Sequence, residues 1–126
     1  MLIVRLSARC YPTENRDKVE NAIKSIFPDS IVEGDDPIHA TASSIEVFSE
    51  LLKRQRIRDA ARAVLRRGII NGATIFRLNK QVATVGKVSF SQEGHALGDL
   101  EVTFESDDID ALIESVAPDT RRMDAS

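Results

Sequence analysis

Residues 2–10 put Leu2, Val4, Leu6, Ala8 and Cys10 on one side of an extended chain and Ile3, Arg5, Ser7 and Arg9 on the other, the alternation of a strand with one buried face. The period then changes to a helical one. Val19, Ala22, Ile23, Ile26 and Phe27 follow Pro12-Thr13-Glu14, which predicts a helix capped by Thr13 and closed by Phe27-Pro28-Asp29. Ile31-Val32-Glu33 and Ile38 to Ala42 read as two short strands around the turn Gly34-Asp35-Asp36-Pro37. Ser44 is a cap candidate for a helix whose apolar side is Ile45, Phe48, Leu51 and Leu52.

If that helix ran on unbroken, Ile57, Ala60, Ala61 and Val64 would lie almost opposite its first apolar cluster. One helix would then bury two faces. The phase shift predicts a break near Lys53 to Gln55 and a second helix from about Gln55 to Arg67, with Gly68 as a left-handed stop. On that helix the four apolar residues face inward, and Arg58, Arg62 and Arg66 form an outward ladder at intervals of four residues, each rung roughly 6 Å from the next.

The second half reads as strands at Ala73 to Leu78, Val85 to Phe90 and Gly98 to Glu105, with Ser91 to Ala96 as a hairpin loop. Leu100, Val102 and Phe104 alternate with Asp99, Glu101, Thr103 and Glu105, giving the last strand an acidic open face. Asp107 or Asp108 caps a final helix carrying Ile109, Leu112, Ile113 and Val116, ended by Ala117-Pro118. This order is α+β: a mainly antiparallel sheet with helices packed on one face, not the regular βαβ alternation of a parallel nucleotide-binding fold. Residues 1–118 form one domain, and 119–126 read as a loose tail.

Composition adds little until it is localised. The formal charge of the 126 residues is −3, which alone argues against a nucleic-acid partner. Residues 53–67, however, hold Lys53, Arg54, Arg56, Arg58, Arg62, Arg66 and Arg67 against Asp59 alone, a local +6 that leaves −9 for the remainder. Arginine outnumbers lysine six to one in that segment, and its planar fork suits phosphate or an acidic protein surface better than solubility requires. Both partners fit: RNA, or a protein surface such as the acidic strand of a second copy. One Tyr, five Phe and no Trp leave little material for stacking unpaired bases, so backbone contacts to structured RNA are the expected mode.

Catalytic and cofactor patterns are missing. The six glycines are scattered without phosphate-loop spacing, His39 and His95 stand apart, and Cys10 has no base placed beside it. No enzyme activity, cofactor or metal is expected. The opening MLIVRLSARCY reads as a strand and not as a signal peptide, no run is long and apolar enough for a membrane span, and a single cysteine suits a reducing cytoplasmic setting. Asn79-Lys80-Gln81 interrupts an apolar stretch; these side chains either hold a break in the sheet or line a polar surface to which Lys80 contributes.

Pro12-Thr13-Glu14, Gln55 to Arg62, Leu78 to Ala83 leading to Gly86-Lys87-Val88, Leu97-Gly98 and Ala117-Pro118 together resemble an archaeal family of uncharacterised proteins. The family is described as predicted RNA-binding or predicted exosome-associated. The resemblance implies a fold similar to the ribosomal protein that binds 5S ribosomal RNA, and a non-enzymatic chain linked to RNA processing or degradation. The expected RNA-contacting residues are Arg54, Arg56, Arg58, Arg62, Arg66, Arg67 and Lys80, with a homodimer or a larger RNA-processing complex as the alternative partner.

Overall fold

The N-terminal alternation does fold as a strand. Val4, Leu6 and Ala8 are buried and Arg5 is exposed in β1 (Leu2–Ala8). The computed structural model describes residues 1–91 and 99–119, so the expected loop at 92–96, His95, Leu97-Gly98 and the tail from 120 lie outside the described residues. Among the described residues the other elements are α1 (Arg16–Ile26), β2 (Ile31–Glu33), β3 (Ile38–Ala42), α2 (Glu46–Arg54), α3 (Arg58–Arg67), β4 (Ile69–Ile70), β5 (Ala73–Asn79), α4 (Lys80–Ala83), β6 (Asp99–Ser106) and α5 (Ile109–Val116). The strands make one antiparallel sheet in the order β2-β3-β1-β6-β5-β4.

One face of this sheet carries the core. Leu100, Val102 and Phe104 of β6 and Phe76 and Leu78 of β5 pack beneath the buried sides of the helices, which include Val19, Ile23 and Ile26 of α1 and Ile113 and Val116 of α5. The five phenylalanines form one connected aromatic group: Phe48 contacts Phe27, Phe76 and Phe104 with centroids 5.7, 5.8 and 5.5 Å away, and Phe90 reaches Phe76 at 5.9 Å. Among the described residues no helix lies over the opposite face of the sheet, where the alternate residues of β1, β3 and β6 are exposed or half-buried.

Several local expectations are corrected. The α1 cap is Asn15, whose side chain accepts from the Asp17 amide at 2.9 Å; Thr13 sits inside a turn closed by the Glu14 amide on the Tyr11 carbonyl at 2.8 Å. Ser44 does accept a backbone amide, that of Glu46 at 3.3 Å, but Ile45 is the residue that precedes α2. The break between α2 and α3 falls where the phase shift placed it, while α3 starts at Arg58, three residues after Gln55. Its buried stripe centres on Ala61 and Leu65, and Ala60 is exposed.

The segment 85–90 is not a strand. Asn79 accepts from the Val82 amide at 3.0 Å and so starts the single turn of α4, and Gly86 then reverses the chain at φ +74°, leaving one bridge between Phe90 and Leu78. The missed strand is β4, joined to β5 by Asn71-Gly72 at φ +49° and +79°, the dipeptide that a two-residue hairpin turn favours.

Gly68 ends α3 at φ −86°, not in the left-handed region. Its need for glycine is steric, because a Cβ there would meet the carbonyl oxygen of Ile75, whose amide donates to Gly68 at 3.1 Å. Gly68→Ala is expected to lower stability by roughly 2–3 kcal/mol, as forced overpacking against backbone does. Urea denaturation should show a larger loss than for Gly86→Ala, where nothing lies within 4 Å and only the positive φ opposes a side chain.

Candidate nucleic-acid interface

The cations of residues 53–67 divide into three groups once neighbours are known. The first surrounds the corner between α2 and α3. There the Ile57 amide donates to the Leu52 carbonyl at 3.0 Å and the Arg56 amide to Lys53 at 3.2 Å, a helix stop with Arg56 at φ +58° where glycine is usual. Gln55 turns back from this corner and clasps the chain near Val88, donating to its carbonyl and accepting from its amide, both at 2.8 Å. The clasp carries Lys87, exposed and next to Val88 in the chain, toward the corner that also holds Lys53, Arg54 and Arg56; the sequence reading did not include it. Arg54 pairs loosely with Glu50 at 3.3 Å on an exposed helix face, a contact worth a few tenths of a kcal/mol. Among the described residues Lys53, Arg56, Arg58 and Lys87 make no ion pair.

Arg62 and Arg66 are occupied. The Arg62 guanidinium pairs with Glu114 of α5 and also donates to the Ala117 carbonyl at 3.2 Å; the Glu114 hydrogen bond raises its pKa above the ordinary arginine value. Arg66 lies 3.6 Å from Glu114 and 3.8 Å from Asp110. The three-arginine ladder is therefore not an outward row: its upper two rungs face α5, and Arg58 alone stays unpaired. Arg67 is exposed at the far end of α3, about 14 Å along the axis from Arg58.

Lys80 is corrected more sharply. It is 1% exposed, with its Nζ 2.8 and 2.9 Å from the two Glu14 carboxylate oxygens and 2.9 Å from the Arg9 carbonyl. Burial raises the Glu14 pKa, but the hydrogen bonds from Lys80 and the Tyr11 amide outweigh it and hold the carboxyl below its ordinary value. An ammonium enclosed in this way cannot reach a phosphate. Of the two readings of Asn79-Lys80-Gln81, the one in which side chains hold a break in the sheet is observed for Asn79 and Lys80, while Gln81 is exposed.

The segments that carried the family resemblance thus meet in pairs: Glu14 with Lys80, Gln55 with Val88, Arg62 with Ala117. These are clasps that fix the fold. Aromatic stacking offers nothing for bases either, since the phenylalanines contact one another in or beside the core and Tyr11 lies under Arg9 at 5.2 Å and Lys80 at 5.8 Å. On the open sheet face two of the three acidic residues of β6 are met by arginines, Glu105 by Arg5 at 3.3 Å and Glu101 by Arg77 at 3.6 Å. Among the described residues no helix is long and apolar enough to cross a membrane, and no group of three or more His, Cys, Asp or Glu could hold a metal ion.

A family model described as RNA binding matches residues 3–106. A UPF0201 protein of Methanothermobacter thermautotrophicus is 38% identical over 120 residues, covering 92% of this chain and 91% of that protein. A UPF0200/UPF0201 protein of Archaeoglobus fulgidus is 35% identical over 122 residues, a match covering 94% of this chain and 38% of that longer protein. The crystal structure of a UPF0201 protein from Methanococcus jannaschii agrees with a TM-score of 0.84 at 38% identity over 93% of each chain. An uncharacterised UPF0201 protein agrees at 0.87 with 34% identity, over 93% of this chain and 94% of the other.

Proposed function

The chain belongs to the UPF0201 family, whose matching model is described as RNA binding, and we propose that it binds the phosphate backbone of structured RNA, without catalysing a reaction, through the cationic corner between α2 and α3. Lys53, Arg54, Arg56, Arg58 and Lys87 make up that surface, and Arg67 extends it along α3. Arg62 and Lys80 act inside the fold, and Arg66, itself exposed, is turned toward Glu114 and Asp110 of α5. The proposal extends to RNA processing or degradation, in which a non-catalytic chain of this kind holds RNA for a partner enzyme.

The observation that carries this reading is Arg56. A left-handed backbone costs a non-glycine residue about 1–2 kcal/mol, and Arg56 adopts it while making no ion pair within the described residues. The helix stop accounts for this backbone, and it leaves the Arg56 guanidinium exposed and unpaired at the corner, where an anion can reach it. The Gln55 clasp holds the corner in one geometry, so less ordering entropy opposes binding.

Binding of a hairpin RNA across a salt series tests the proposal. Affinity should fall steeply with salt, and replacing Lys53, Arg54, Arg56 and Lys87 by alanine should flatten the log–log slope by roughly 3–4 units if each releases about one counterion. Arg62→Ala with Arg66→Ala should leave the slope near that of the native protein and lower thermal stability instead. Binding that is absent, insensitive to salt or unchanged in the four-site variant refutes the reading.

A further inference from the structure

The uncovered face of the sheet has a symmetry that RNA binding does not use. Strand register aligns exposed and half-buried residues into rows across it. One row runs Ile75, Thr103, Arg5, Thr41, Ile31 from β5 to β2, and the next runs Arg77, Glu101, Ser7, His39, Glu33. β1 is the midline of both. Positions equidistant from it are alike in the first row, isoleucine at both ends and threonine inside them. In the second they are complementary: Arg77 answers Glu33 with opposite charge, and Glu101, an acceptor, answers His39, whose imidazole can donate.

That pattern is what an isologous interface requires, since each residue must suit the residue that the two-fold brings over it. We propose that this open sheet face is where two copies of the chain associate, related by a two-fold axis running close to β1. The rotation lays β5 of one copy over β2 of the other and β6 over β3. Ile75 then packs on Ile31 of the second copy, Thr103 on Thr41, and Arg77 faces Glu33. Arg5 meets its own image on the axis, and its pairing with Glu105 at 3.3 Å keeps that contact neutral. An axis about 15° from β1 gives the crossing of about −30° that aligned sheets adopt.

A second copy fits better than another occupant. Arg5 and Arg77 are already set against Glu105 and Glu101, which removes the acidic field that a basic partner would seek. Ile31 and Ile75 remain 68% and 41% exposed at opposite sides of the midline, and a self-paired arrangement covers each with the other. Six strands span roughly 24 Å, so the covered area is at the small end for a specific interface. The association is therefore expected at micromolar protein and above.

Sedimentation velocity over a concentration series tests this. The native chain is expected to sediment as a dimer at tens of micromolar. Ile31→Arg and Ile75→Glu should each give monomer, and the double variant should recover the dimer, because each new cation then lies against the new carboxylate of the other copy. Both positions are solvent-exposed, so the variants should keep native circular dichroism. They also lie off the cationic corner, so RNA affinity and salt slope should stay unchanged. A native monomer, a dimer that survives either single change, or a double variant that stays monomeric overturns the proposal. Loss of RNA binding in the corner variants with an intact dimer bears only on the RNA reading.

Discussion

Lys80→Ala is expected to destabilise the protein by about 3 kcal/mol, the lower end of the range for removing one partner of a buried ion pair. The lysine is enclosed, and its loss leaves the Arg9 carbonyl and both Glu14 oxygens without the donor they share. Glu14 keeps 21% of its side chain exposed, so water recovers part of the loss, which sets the estimate at the low end. The effect should depend on pH. Glu14 is held below its ordinary pKa in the folded chain, so its contribution is fully present above the unfolded value near 4.5 and is lost as pH falls through the lower folded one. The gap in urea stability between the native protein and the variant should therefore be widest near neutrality and narrow as the solution is acidified past the folded pKa of Glu14. RNA affinity of the folded variant should match that of the native chain, because Lys80 does not reach the surface. A variant as stable as the native protein with weakened RNA binding would return Lys80 to the interface.

The elements were legible wherever one period was sustained. Leu100, Val102 and Phe104 alternate cleanly and form β6; Val19, Ala22, Ile23 and Ile26 recur at helical spacing and form the buried side of α1. The break after α2 was legible as a change of phase, because a rigid helix cannot turn two apolar clusters toward one sheet. What the pattern lacked was any sign of partners distant in sequence. Lys80 meets Glu14 across 66 residues, Gln55 meets Val88 across 33, and Arg62 meets Ala117 across 55. A helical wheel gives the direction of Arg62 from its own axis and says nothing about α5 standing on that side. The outward ladder was therefore the natural expectation and the wrong geometry. Lys87 was missed for the converse reason, since nothing near it in sequence is basic and only the Gln55 clasp carries it to the corner. Two local signals were present in the sequence and not read: Asn71-Gly72 marked a hairpin, and Asn79 before Lys80 marked a cap.

The aromatic group links stability to the mode of recognition. Phe48 is fully buried, with three other phenylalanine rings 5.5 to 5.8 Å from its own. Phe48→Ala removes a ring from the centre of a network that joins α2 to β5 and β6, and neighbours fixed in the sheet cannot close the space left behind. The expected loss is about 4 kcal/mol, transfer and cavity terms together. Phe90, only partly buried and in ring contact with Phe76 alone, should cost about half as much when replaced by alanine. Urea midpoints of the two variants check the order, and similar losses would mean that the core relaxes around Phe48. Because these rings are committed to packing, a base-stacking contribution to RNA affinity is not expected. Binding to a hairpin should therefore not be outcompeted by an unpaired strand of equal length, whereas a platform of free rings would favour the unpaired strand.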